Sequence, residues 1–398
     1  MEAHLLEWLN LSVRWVHMIT GVAWIGASFY FVWLENNLNR VNPKNGLAGD
    51  LWAIHGGGIY HLEKYKLAPP TMPDNLHWFK WEAYFTWMSG VALLCVVFYL
   101  NPTLYLLAPG SSLSGTEGVL LGIGSLFAGW FIYSFLCDSA LGKRPALLGL
   151  ILFVLLIAAA YGFSKVFSGR GAYLHVGAVI GTIMVGNVFR IIMPAQRALV
   201  AAIAENRTPD PALPAKGLLR SRHNNYFTLP VLFIMISNHF AMTYRHAHAW
   251  AVLGAIMAAG VFIRHFFNLR HKGRVEWRYP AIGVLILLGV FVALMPEPPG
   301  LAGARTSAGA SQVQFAQVQT IIAQRCVACH AAHPTQPGFA SAPAGVMLDD
   351  ANGVKQNAAR IYQQAVQLKA MPLANMTNMT DAERAQLAAW YEAGAHTQ

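Results

Sequence analysis

"ALLGLILFVLLIAAAYGFS", residues 146–164, runs without a single charge. A helix of this length crosses the ~30 Å hydrocarbon core of a bilayer, and one apolar all round is not the amphipathic helix of a soluble surface. The chain around it has the same character. Of its 398 residues 55% are hydrophobic and only 12% charged, where soluble domains carry about 25% charged residues. Seven further stretches read the same way, near 8–34, 82–100, 118–136, 172–193, 226–243, 247–267 and 279–296. The sequence predicts an all-α fold, an eight-helix transmembrane bundle over residues 1–296.

The net charge of +10 raises nucleic acid as a partner, but the basic residues form no single soluble patch. Seventeen Lys and Arg lie in or against the first, third, fifth and seventh connections, and three (Lys165, Arg170, Arg245) in the second, fourth and sixth. That asymmetry is a topology signal, which places the odd connections in the cytoplasm and both termini outside. No nucleic-acid partner is expected; the lipid membrane is. No basic segment or small-residue cleavage site precedes the first span, so it reads as a retained helix.

After Met295 the composition changes. "PEPPGLAGARTSAGAS" has no apolar period, so residues 297–311 read as a flexible linker. Residues 312–398 then form a small unit carrying "RCVACH" at 325–330. Cys326, Cys329 and His330 have the C-x-x-C-H spacing for two thioether bonds and one iron ligand of a covalent haem c. The competing reading, half a zinc site helped by His333, lacks a second Cys or His pair. "QFAQVQTIIAQ" and "TDAERAQLAAWYEAG" are helical, the second opened by a Thr380/Glu383 capping box and closed by Gly394. Such a domain resembles a small α-helical class I cytochrome c. That family's ligand loop has methionine before proline, which in "AMPLANMTNMT" points to Met371 as the sixth ligand, with Met376 the rival and Met347 and Met379 also present.

Ionisable groups inside spans are costly and point to function. In "RWVHMITGVAWIGASF" Arg14 lies one turn before His17, with Gly21 on the same face. His175 and His239 share the outer half. Two facing histidines would ligate a membrane haem b, with Arg14 on a propionate; the alternative is a set of interhelical hydrogen bonds. At the inner ends, "GNVFRIIMPAQR" and "RSRHNNYFTLP" bring Asn187, Arg190, Arg222, Asn224, Asn225 and Thr228, a set suited to a flat anion with several hydrogen-bonding edges. Arg220 and Arg222 are equally explained as positive-inside anchors. The long first connection adds His55, His61, Glu63, Lys64 and His77 as acid–base groups, and a Gly56–Gly58 run where backbone approaches a ligand closely.

"RWVHMITGVAWIGASFYFVWLENNL", "HGGGIYHLEKYKLAPPTMPDNLHWFKWEAYFTW" and "SRHNNYFTLPVLFIMISNH", followed by a cytochrome c tail, resemble the membrane-bound urate hydroxylases of bacteria over essentially the whole chain. The resemblance implies oxidation of urate to 5-hydroxyisourate in purine breakdown. It implies electrons passing through the cytochrome c domain to the respiratory chain, with a terminal oxidase or soluble cytochrome as acceptor. It also implies a multi-pass protein of the bacterial inner membrane whose tail is periplasmic. The family's motifs do not identify its catalytic residues; His55, His61, Arg190, Arg222 and Asn224 are candidates from the residues alone. Two other readings stay open: a membrane haem protein oxidising another substrate such as a porphyrinogen, and a non-catalytic, membrane-anchored electron-transfer cytochrome.

Overall fold

A computed structural model describes residues 2–69, 71–210, 212–271, 273–295, 313–337, 339 and 341–397. The linker expected at 297–311 lies outside the described residues. The chain is mostly helical. α1 (Glu2–Asn37) has 36 residues, about 54 Å at 1.5 Å per residue. α2 (Trp81–Leu94) runs on through a wide π turn, Cys95–Tyr99. α3 (Gly115–Asp138) opens on a Ser114/Glu117 capping box, and α4 (Pro145–Val166) has proline in its first turn. α5 (Gly169–Gly186), capped by Ser168, passes through a second π turn, Asn187–Ile192, into Met193–Ala204. α6 (Ala212–Ser237), α7 (Ala249–Arg270) and α8 (Arg278–Ala293) follow.

Among the described residues six helices are long and apolar enough to cross a membrane: α1, α2 with its π turn, α3, α4, α5 with its extension, and α7. α8 is apolar but only 16 residues long, and α6 carries a polar N-terminal half. The burial pattern is inverted relative to a water-soluble bundle. Trp15, Phe131 and Phe135 are 65–74% exposed on outer faces, while His175, Asn187 and Arg220 are 0% exposed. Apolar rings outside and polar groups inside are what a hydrocarbon solvent selects. α5 is the most enclosed span and packs on α3, α4 and α6.

The structure corrects the all-α expectation in the first connection. β1 (Leu47–His55) and β2 (Gly58–Tyr65) form an antiparallel hairpin, His55 opposite Gly58. Gly56 and Gly57 both have positive φ, 57° and 81°, the conformation that two-residue hairpin turns require. The glycine run therefore makes a turn, with nothing within 4 Å of where its side chains would begin at Gly56 and Gly57. Two span boundaries also move. The fifth helix continues to Ala204 instead of stopping near 193, and the sixth begins at Ala212 and ends at Ser237 instead of spanning 226–243.

In the tail, α9 (Phe315–Arg325), α10 (Ala351–Gln356) and α11 (Asp381–Glu392) enclose a core of Val318, Ile321, Ile322, Leu348, Val354, Leu387 and Trp390. The Thr380/Glu383 capping box forms as expected, and Gly394 follows the last turn with φ 99°.

Candidate functional site

A cavity of about 410 Å3 opens between α1, the segment before α2, the extension of α5 and the first half of α6. Its size is that of a small-molecule site. Trp24, Phe31, Trp78 and Phe79 supply flat apolar walls, and Ser28, Gln196, Ser221, Asn224 and Thr228 supply amides and hydroxyls. Among the described residues His77 is the one titratable side chain on the wall.

The polar wall is held from behind. Asn187 Nδ2 donates to Asn224 Oδ1 at 2.8 Å and to the Tyr133 hydroxyl at 2.9 Å. Asn224 Nδ2 donates to Met184 O at 3.0 Å. Met184 sits where α5 widens into its π turn, and such turns frequently mark functional positions. The Tyr133 hydroxyl lies 2.8 Å from His223 Nδ1. Beneath it Arg220 stacks over the Tyr133 ring at 4.9 Å and donates to Asp138 at 2.9 Å and to Ser134 O. Arg264 Nε and Asn268 Nδ2 both donate to Asn225 Oδ1, at 3.0 and 2.8 Å.

Asn187, Asn224 and Thr228 are thus brought together as the sequence suggests, but the arginines differ. Arg190 and Arg222 are exposed and absent from the cavity wall. Arg220 is fully buried, so it is no simple topology anchor; Arg264, also buried, is the second inner cation. The signal was in the spacing. Gly217, Arg220, Asn224 and Thr228 recur at three or four residues on one helical face, whereas Arg222 falls on another. His55 is exposed beside the hairpin turn. His61 stacks on Trp52 at 4.2 Å and pairs with Asp50 at 2.7 Å. Neither histidine reaches the cavity; of the first-connection groups, His77 does.

At the other end of the helices the histidines have separate partners. His17 Nδ1 lies 3.0 Å from both Thr86 O and Ser89 Oγ. His175 uses both ring nitrogens, Nδ1 on Gly171 O at 2.8 Å and Nε2 on the Tyr99 hydroxyl at 2.9 Å. Gly122 allows that contact, since a β-carbon there would stand 2.8 Å from His175 Nε2. His239 is exposed, and Arg14 donates to Asn10 at 3.0 Å. A haem b does not fit His175 as it stands, because Tyr99 occupies the nitrogen that iron would need.

The tail fits a haem c better. Cys326, Cys329 and His330 share one turn, with His330 N donating to Cys326 O at 2.9 Å. Both sulfurs are free of disulfides. His330 Nδ1 lies 3.0 Å from Val346 O, the backing that fixes a ligand imidazole and leaves Nε2 for the metal. Among the described residues no three His, Cys, Asp or Glu side chains converge on a metal position. Met371 is half-buried in a loop whose carbonyl accepts from Arg384 at 2.7 Å, and Met379 is packed into the core. The tail touches the membrane domain at the turns after α2 and α6, the end of the helices opposite the cavity.

Comparison with curated proteins and with solved structures finds no match. The family model described as urate oxidase N-terminal, however, matches residues 3–295, every described helix ahead of the tail and the whole cavity. The chain belongs to the urate oxidase N-terminal family, which makes it a urate oxidase-like oxidoreductase with helices able to cross a membrane.

Proposed function

We propose that the protein is a membrane-bound urate hydroxylase with eight transmembrane helices, which oxidises cytoplasmic urate to 5-hydroxyisourate and exports the electrons through its tail. The reaction balances as urate plus water giving 5-hydroxyisourate, two protons and two electrons. The observation that carries the reading is the cavity itself: flat aromatic walls, an amide and hydroxyl edge and one histidine, within the region that matches the family, at the end of the helices rich in Lys and Arg.

Urate would lie between Trp24 and Trp78, with Asn224, Thr228, Gln196 and Ser28 on its ring edges. The pair Asn187–Asn224 fixes the orientation of the amide that meets it. Arg220 and Arg264, buried one step behind, favour an anion in a low-dielectric site. His77 is positioned to accept a proton released as water adds. Cys326, Cys329, His330 and Met371 would hold a haem c, which would supply a one-electron carrier for the two electrons that each urate releases. The outer acceptor is a terminal oxidase or soluble cytochrome. The hydrocarbon core of ~30 Å exceeds one direct hop, so the transfer passes through groups inside the bundle. No step is routed through a second haem.

Sealed vesicles test the sidedness. Inside-out vesicles should oxidise added urate at once, and right-side-out spheroplasts without a urate carrier should not. Equal rates in both would place the site on the outside and overturn this reading.

A further inference from the structure

We propose that the membrane domain holds the tail by the loop that carries Met371, and that Arg245 is the positioning residue of this clamp. The inference rests on the reading of the tail as a cytochrome c with Met371 above the iron. Arg245 lies in the turn between α6 and α7. One terminal nitrogen of its guanidinium donates to Lys369 O at 2.7 Å and the other to Ala370 O at 3.0 Å. Those carbonyls belong to the two residues immediately before Met371. Neither acceptor is a carboxylate, so Arg245 reads the backbone shape of this one loop and not the charge of the tail.

A second contact closes on the far side of the same loop. The short helical turn Pro102–Tyr105 packs on Leu373–Asn375, just after Met371 and Pro372. The loop is therefore gripped on both sides of its methionine.

The platform under the tail is itself tied down. Ser168 Oγ donates to Tyr105 O at 2.9 Å, and Ser168 N to Leu106 O at 2.7 Å. Ser168 caps α5, and two turns along that helix His175 bonds Tyr99 and packs on Phe167 at 4.8 Å. The patch that grips the tail is thus bonded to the polar and aromatic cluster of the outer half. With a haem held at Cys326 and Cys329, the clamp would fix the distance between this cluster and the one-electron carrier in the tail.

The test uses the full-length haem-loaded protein as wild type, Arg245→Ala and Arg245→Lys. Hydrogen exchange is followed at the amides of 369–375, and haem reduction is timed after anaerobic mixing with urate or with ascorbate, which needs no membrane domain. Arg245→Ala should raise exchange in the loop at least tenfold and slow urate-driven reduction at least tenfold, with ascorbate-driven reduction unchanged. Arg245→Lys, which keeps one donor, should restore part of both. Unchanged exchange in the loop would overturn the clamp, and so would a freed loop with an unchanged urate-driven rate. If urate fails to reduce even the wild type, the substrate assignment fails separately, and exchange at 369–375 still decides the clamp.

Discussion

Asn224 is the side chain through which the cavity is most open to test. It makes two hydrogen bonds, at 2.8 Å with Asn187 and 3.0 Å with Met184 O, while its side chain lines the cavity. Each neutral bond contributes about 0.5–1.5 kcal/mol net, and a buried group left unpaired costs about 1–3 kcal/mol. Asn224→Ala removes both bonds and leaves Asn187 Nδ2 with Tyr133 as its remaining partner. Loss of one substrate contact worth about 1.4 kcal/mol raises KM roughly tenfold, and a misoriented Asn187 adds to it. Arg190→Ala provides the contrast. The residue types alone predict a steep rise in KM for that variant, but Arg190 is exposed and away from the wall, so its KM should stay within about twofold. Thr228→Val guards against collapse of the network, because it removes a hydroxyl from the wall and leaves the Asn187–Asn224 pair intact. The assay is steady-state urate oxidation by protein with an unchanged haem spectrum. A tenfold rise in KM for Arg190→Ala, with Asn224→Ala and Thr228→Val near wild type, would refute the placement of the site.

The tail makes three further predictions. Its haem should stay with the protein in acid–acetone, because two thioether bonds hold it; full extraction would remove the C-x-x-C-H assignment. Met371→Ala should abolish the near-infrared sulfur–iron band and lower the potential, whereas Met376→Ala should not; the reverse result would make Met376 the ligand. The Thr380 amide and, against burial, the Arg325 guanidinium hold the Glu383 carboxyl below the usual range. A depressed carboxyl stabilises the fold above its unfolded pKa, about 4.3, and that stability is lost as pH falls through the folded value. Tail stability should therefore drop on acidification below about pH 4.3, and Glu383→Gln should flatten the drop in a urea-melt series against pH.

Most of the helical frame was legible because long apolar runs have one stable arrangement in hydrocarbon. The capping box at Thr380 and Glu383 and the turn from Cys326 to His330 were legible because their geometry is local. The hairpin is not legible in "LAGDLWAIHGGGIYHLEKY", since polar and apolar residues mix on both faces of its strands. Choosing Arg220 over Arg222 needed the helical phase of α6, and α6 begins earlier than its apolar run. The partners of Asn187 could not be read at all. Tyr133 and Asn224 come from helices 54 and 37 residues away in sequence, and only packing brings them together. His175 shows the same limit: a buried histidine was expected, but its commitment to Tyr99 depends on the π turn that carries Tyr99.

The most direct measurement is an anaerobic titration of the purified full-length protein with urate, read at the haem absorption bands. Urate alone should reduce the tail, with two haem equivalents reduced per urate consumed and 5-hydroxyisourate formed in step. A haem that urate leaves oxidised, yet a quinol or a reduced partner protein reduces, would contradict the account and leave an electron-transfer cytochrome on a membrane anchor.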